Sequence, residues 1–197
     1  MKKIKGCKKL DNYYKVYDRL KNLKRIIATN QEKQLDEEEW LEGVSCFVIN
    51  EKGEVLIEKR VSKGLTPGKL DLCSGHIDNE ETHTQSMIRE LKEELGIEAE
   101  EAMNVIKLDK NAAPLEFVSA NKKRNFFITF YCLKRVTSEV KIQEEEIEKI
   151  VWLPLEETFV LINSGRTKFP TSYDYEPIFQ KVRDICKDRN INEAQER

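Results

Sequence analysis

The chain has 197 residues, with 34 Lys or Arg against 36 Asp or Glu, a formal net charge of -2, and 36% charged beside 39% hydrophobic residues. This is the composition of a soluble globular protein with room for one sizeable core plus an extension, and no apolar run approaches the ~20 residues that a bilayer span needs. The opening MKKIKGCKKLDNYYK carries no apolar stretch of the kind a secretory signal requires, and Cys7, Cys46, Cys73, Cys132 and Cys186 are scattered without a C-x-x-C pair. A cytoplasmic protein with reduced thiols, and neither a disulfide framework nor a cysteine zinc site, is the expectation.

Tyr13, Val16, Tyr17, Leu20, Leu23 and Ile27 recur at steps of three and four, which predicts an amphipathic N-terminal helix within an extension over residues 1–38. Residues 1–26 hold ten Lys or Arg against two Asp. An RNA partner would suit that charge, but no aromatic platform accompanies it, so the favoured reading is a solvated helix face and a nucleic-acid partner is not expected. From residue 44 the period shortens to two: VSCFVIN and EVLIEKR flank Glu51-Lys52-Gly53 as a β-hairpin. A loop with Gly64, Pro67 and Gly68 leads to a short strand near 70–74, and a helix over 80–95 carries Met87, Ile88, Leu91 and Leu95 on its apolar face, with Gly96 as its cap. Strands are expected near 101–108, 115–119 and 125–134 and again in IEKIVWLPL. Pro154 should open a helix to about Asn163, and a last helix covers 174–188. Without repeats or a linker, residues 39–190 read as one mixed α/β (α+β) domain followed by a 191–197 tail.

The charged face of the 80–95 helix carries the chemistry. Positions i, i+3 and i+4 share one side, so Glu90, Glu93 and Glu94 project together and repel unless a cation lies among them. Hard divalent ions such as Mg²⁺ or Mn²⁺ take such oxygen ligands, and Gly75 lets the preceding backbone approach closely. A solvated, charge-laced helix with a glycine cap is the plain alternative.

Gly75, five residues, Glu81, seven residues, then Arg89-Glu90-Leu91-x-Glu93-Glu94-x-Gly96-Ile97 matches the Nudix box at every specified position, so the chain resembles a Nudix hydrolase. By average residue usage a chance match is on the order of one in ten million. The resemblance implies an α/β/α sandwich around a mixed sheet over about residues 40–190, and hydrolysis of a diphosphate linkage in a nucleoside diphosphate joined to another moiety, or in a nucleoside triphosphate. It implies Mg²⁺ or Mn²⁺ held by Glu90, Glu93, Glu94 and the Gly75 carbonyl. Arg89 and Glu81 would fix the loop against the helix. A proton acceptor is expected in KIQEEEIEKIVW, with Glu146 and Glu145 as candidates and Glu144 behind them. Arg60 and Lys63 follow the second strand of the hairpin and are candidate cations for the substrate's phosphates, with an ordinary surface role as the alternative.

Three other readings stand beside this one. The loop PGKLDLCSGH also resembles the Nudix subgroup that includes type I isopentenyl diphosphate isomerases. Those place a catalytic Cys directly before the box Gly, whereas this chain has Ser74 there and Cys73 one residue earlier. A non-catalytic binding module is disfavoured by the intact carboxylates, and an RNA 5′-end pyrophosphohydrolase would use the basic N-terminus. The aromatic face of the N-terminal helix leaves either its own domain or a second copy, in a homodimer, as its partner.

Overall fold

The structure, a computed structural model, describes residues 12–62, 67–119 and 122–187. The start of the chain with Cys7, the candidate Lys63 and the 191–197 tail lie outside them. The described N-terminal segment is extended where the sequence period predicts a helix: β1 (Tyr13–Tyr17) and β2 (Leu23–Ala28) pair as an antiparallel hairpin. Aromatic and β-branched side chains suit a pleated surface. Asp18 closes the turn, its carboxylate accepting from the Leu20 and Asn22 N–H groups at 2.9 and 2.8 Å. Alternation buries Val16 and Ile27, while Leu20 and Leu23 of the supposed helical stripe stand 83% and 56% exposed. The cations of this hairpin are largely matched locally, Lys15 by Glu80, Lys21 by Glu42, and Lys24 and Arg25 by Glu39. A 3₁₀ turn over Thr29–Gln34 follows.

The rest of the chain runs β3 (Trp40–Asn50), β4 (Glu54–Arg60), β5 (Leu70–Asp71), β6 (Cys73–His76), α1 (His83–Leu95), α2 (Ala99–Ala102), β7 (Ile106–Lys107), β8 (Ala113–Ser119), β9 (Lys122–Val136), β10 (Ile147–Pro154), α3 (Leu155–Asn163) and α4 (Glu176–Lys187). Strands apolar on both faces belong between two layers. β3 and β9 do so, pairing in parallel from Trp40↔Asn125 to Asn50↔Val136 at the centre of a mixed sheet. β8 and β7 extend it antiparallel beyond β9, while β1, β6 and β4 share the other edge of β3, with β10 and β5 outside β4. The segment expected as a strand over 101–108 begins as a helical turn, since Ala-Glu-Glu-Ala favours helix and only Ile106 and Lys107 reach a partner on β9.

Two apolar layers hold the sheet. Met87, Leu91 and Leu95 of α1 pack on Val44, Cys46, Val48, Tyr131 and Leu133, and burying each Met or Leu contributes about 1.5–3 kcal/mol. On the opposite face Leu161 and Ile162 of α3 and Ile178, Phe179 and Val182 of α4 cover Phe47, Ile57 and Phe130. α1 starts at Thr82, which exchanges capping-box hydrogen bonds with Gln85. It stops at Gly96, whose φ of 65° favours glycine and where a Cβ would sit a tight 3.0 Å from the Lys141 side chain.

Candidate active site

Fixing α1 by its apolar stripe turns the other face, with Glu90, Glu93 and Glu94, toward the loop that follows β6. Arg89 ties these elements together. Its Nε donates to Glu81 at 3.0 Å, Nη1 to Glu90 at 2.7 Å and Glu93 at 3.0 Å, and Nη2 to the His76 carbonyl at 3.0 Å. Glu81 also accepts from Ser86 Oγ at 2.7 Å. The N-terminal hairpin clamps the same loop: Tyr13 and Asn79 exchange backbone and side-chain bonds, and Tyr14 stacks on the His76 ring at 4.8 Å. His76 is held by ring packing on Tyr14 and Phe126, with Glu32 Oε1 3.5 Å from its Nε2, and the hairpin's aromatic face packs on its own domain.

The third carboxylate belongs to a second cluster. Glu94 is buried, accepts the Ser74 backbone N–H at 3.1 Å and meets Arg60 Nη1 at 2.6 Å; the other Arg60 nitrogen reaches Glu146 at 2.7 Å. Of the two acceptor candidates, Glu146 is therefore joined to the site through Arg60, while Glu145 is exposed with no side-chain partner among the described residues. Arg60 is thus engaged by two carboxylates. The isomerase alternative needs a presented thiol, but Cys73 is fully buried and burial pushes its pKa well up.

Three functional-looking residues escaped the sequence reading. Asp71 is buried, pairs with Lys168 at 2.6 Å and accepts from Ser74 Oγ at 3.1 Å; Lys168 also donates to Ser74 Oγ. Glu58 is fully buried beside them. A partial signal existed for Glu58, which directly follows the buried apolar run Val55-Leu56-Ile57 of β4, and none for Asp71 in the two-residue β5. None existed for Lys168, an ordinary cation in the loop before α4.

The oxygen donors suit a hard divalent ion. A Cβ built on Gly75 would lie 1.9 Å from Glu90 Oε1, so only glycine lets this carboxylate rest against the loop backbone, next to the carbonyl expected as a ligand. The box carboxylates do not converge on one point, however: guanidinium groups lie among them. Among the described residues, the acid and thiol atoms that do converge are those of Glu58, Cys73 and Glu94.

The family model for the NUDIX domain matches residues 39–173. The chain belongs to the Nudix family. Nudix hydrolase 2 of Arabidopsis thaliana is 30% identical over 147 residues, spanning 73% of this chain and 46% of that protein. The chain thus spans less than half the length of the curated relatives it matches. In fold it is similar to DR0079 from Deinococcus radiodurans, with a TM-score of 0.56 and 21% identity over 87% of this chain and 98% of that one. It is similar too to the MutT protein from Methanosarcina mazei Go1, with a TM-score of 0.51 and 23% identity over 76% and 95%.

The buried box carboxylate of this Nudix chain has a consequence for pH. Burial, offset in part by Arg60, pushes Glu94 up to about 7, and burial raises Glu90 and Glu58 as well. A carboxyl whose folded pKa exceeds its unfolded value near 4.5 stabilises the fold fully below that value and loses the contribution as pH rises through the folded pKa. Glu39 and Glu42, held down to about 2 by their hydrogen-bonded partners, shift the other way, but their contributions are complete above pH 4.5. The Tm of the metal-free protein is therefore expected to fall by several degrees between about pH 4.5 and 7, and Glu94→Gln should flatten the decline. A flat wild-type profile over that window would contradict the assignment.

Proposed function

We propose that this protein is a metal-dependent hydrolase that cleaves the pyrophosphate linkage of a nucleoside diphosphate joined to another moiety, or of a nucleoside triphosphate. The observation that carries this reading is the Arg89 fork, which holds Glu81, Glu90, Glu93 and the His76 carbonyl in one frame beside Gly75. Glu90, Glu93, Glu94 and the Gly75 carbonyl would hold Mg²⁺ or Mn²⁺. When bound, such an ion neutralises charge on phosphate oxygens and makes an attached water more acidic.

The protein's own groups supply the rest. Glu146 accepts the proton of the attacking water, and in-line displacement at phosphorus needs no covalent enzyme intermediate. Arg60, joined to both Glu94 and Glu146, sets their separation and so acts as a positioning residue more than as a phosphate clamp. Arg89 and Glu81 keep the loop seated on α1, as partners of metal ligands commonly do.

A screen of nucleoside diphosphate derivatives and nucleoside triphosphates with Mg²⁺ or Mn²⁺, read by release of phosphate or nucleotide, tests the proposal. Turnover that vanishes in excess chelator is the expected result. No product from any of these compounds, or turnover indifferent to chelator, would overturn it.

A further inference from the structure

Beside Glu94 lies a buried group that the proposed hydrolysis does not use. Glu58, on β4, is fully buried and neither of its carboxylate oxygens has a hydrogen-bond partner among the described residues. Its neighbour across the β4–β5 ladder, Asp71, gives one oxygen to Lys168 and Ser74 and leaves the other, Oδ1, unpartnered. Cys73, also fully buried, completes the cluster: one ligand atom each from Glu58, Cys73 and Glu94 lies within 4.8 Å of the others. Buried polar atoms are nearly always satisfied, and a carboxylate with both oxygens orphaned is among the costliest exceptions. A cation between Glu58 and Glu94 removes that cost and their mutual repulsion.

The donor set says which cation. Two carboxylates and a sulfur are softer than the all-oxygen set of Glu90, Glu93, Glu94 and the Gly75 carbonyl, and they suit zinc or cobalt better than magnesium. Ligands about 2.0–2.3 Å from one ion stand about 3–4 Å apart, so small side-chain adjustments close the observed spacing. Glu94 keeps lone pairs beyond those used by Arg60 and Ser74, so it can serve both places. We propose that Glu58, Cys73 and Glu94 form a second, buried site for a transition-metal dication of the zinc or cobalt type. On binding, the Cys73 S–H gives its proton to solvent and a metal–sulfur bond forms, with no change of oxidation state.

Cobalt makes the site visible, because a thiolate bound to Co²⁺ gives a sulfur-to-metal charge-transfer band in the near ultraviolet. The metal-stripped full chain, in excess Mg²⁺ to occupy the box carboxylates, is titrated with Co²⁺. The expected result is a band that saturates at one equivalent, persists in Cys7→Ser, Cys46→Ser and Glu93→Gln, and disappears in Cys73→Ser. Glu58→Gln should weaken cobalt affinity by about 10–100-fold. Folded wild-type protein without the band, or a band that survives Cys73→Ser, would overturn the proposal. The two readings fail separately: a missing band beside intact hydrolysis removes only this site, whereas a cobalt band without hydrolysis of any pyrophosphate compound removes only the hydrolase.

Discussion

Glu93→Gln is expected to lower kcat/KM by ~10²–10³-fold while leaving Tm nearly unchanged. The two effects separate because of where Glu93 sits. Its side chain is 54% exposed and its ion-pair contact is Arg89 at 3.0 Å, an interaction of the kind that contributes about 0–1 kcal/mol at a protein surface. Arg89 keeps its bonds to Glu81, Glu90 and the His76 carbonyl, so the loop stays seated. What the amide lacks is the negative charge that a divalent ion requires of a ligand. Steady-state kinetics with saturating Mg²⁺, together with thermal denaturation, measures both quantities. Full turnover in this variant would refute the role given to the acidic face of α1.

Gly75→Ala should be nearly as damaging to activity, and by another route. The added methyl would overlap Glu90, 1.9 Å from Oε1 and 2.0 Å from the carboxyl carbon. The overlap reaches Cγ at 2.6 Å, so the whole Glu90 side chain must swing aside, and the fold should lose about 1–3 kcal/mol. The swing carries Glu90 away from the loop backbone and from Arg89 Nη1, which it now meets at 2.7 Å. Displacing a ligand together with its partner is expected to reduce kcat by about 100-fold or more. Metal titration followed by activity assay checks this, and an alanine variant with wild-type turnover would show that the close approach of Gly75 and Glu90 has no catalytic purpose.

The box was legible because it is local. Gly96, the Met87-Leu91-Leu95 stripe and the Glu90-Glu93-Glu94 face all follow from spacings within one helix, where 3.6 residues per turn fixes which side chains are neighbours, whereas the Thr82 cap came only with the structure. The central strands were legible for the same reason, since runs apolar on both faces have few places to go. The N-terminal segment misled because Tyr13, Val16, Tyr17, Leu20 and Leu23 satisfy a helical period that no tertiary surface exploits. The hairpin wins because it buries Val16 and Ile27 against Leu41 and gives Tyr13, Tyr14 and Lys15 partners in the box loop. The expected strand over 101–108 failed similarly, with only its last part finding an edge of β9 to pair with.

The sequence by itself determined the acidic helix, its C-terminal glycine cap, the side its acids face and the family that this pattern marks. Tertiary structure alone decided which acids share a cation. Arg60, Glu94 and Glu146 come from three distant segments, as do Glu58, Asp71 and Lys168, and no periodicity along a chain encodes a distance between strands that meet only after folding. Helix geometry is set by bonds between near neighbours, whereas the polarity of a cleft depends on what the packing of β4, β5, β6 and the loop before α4 leaves without water.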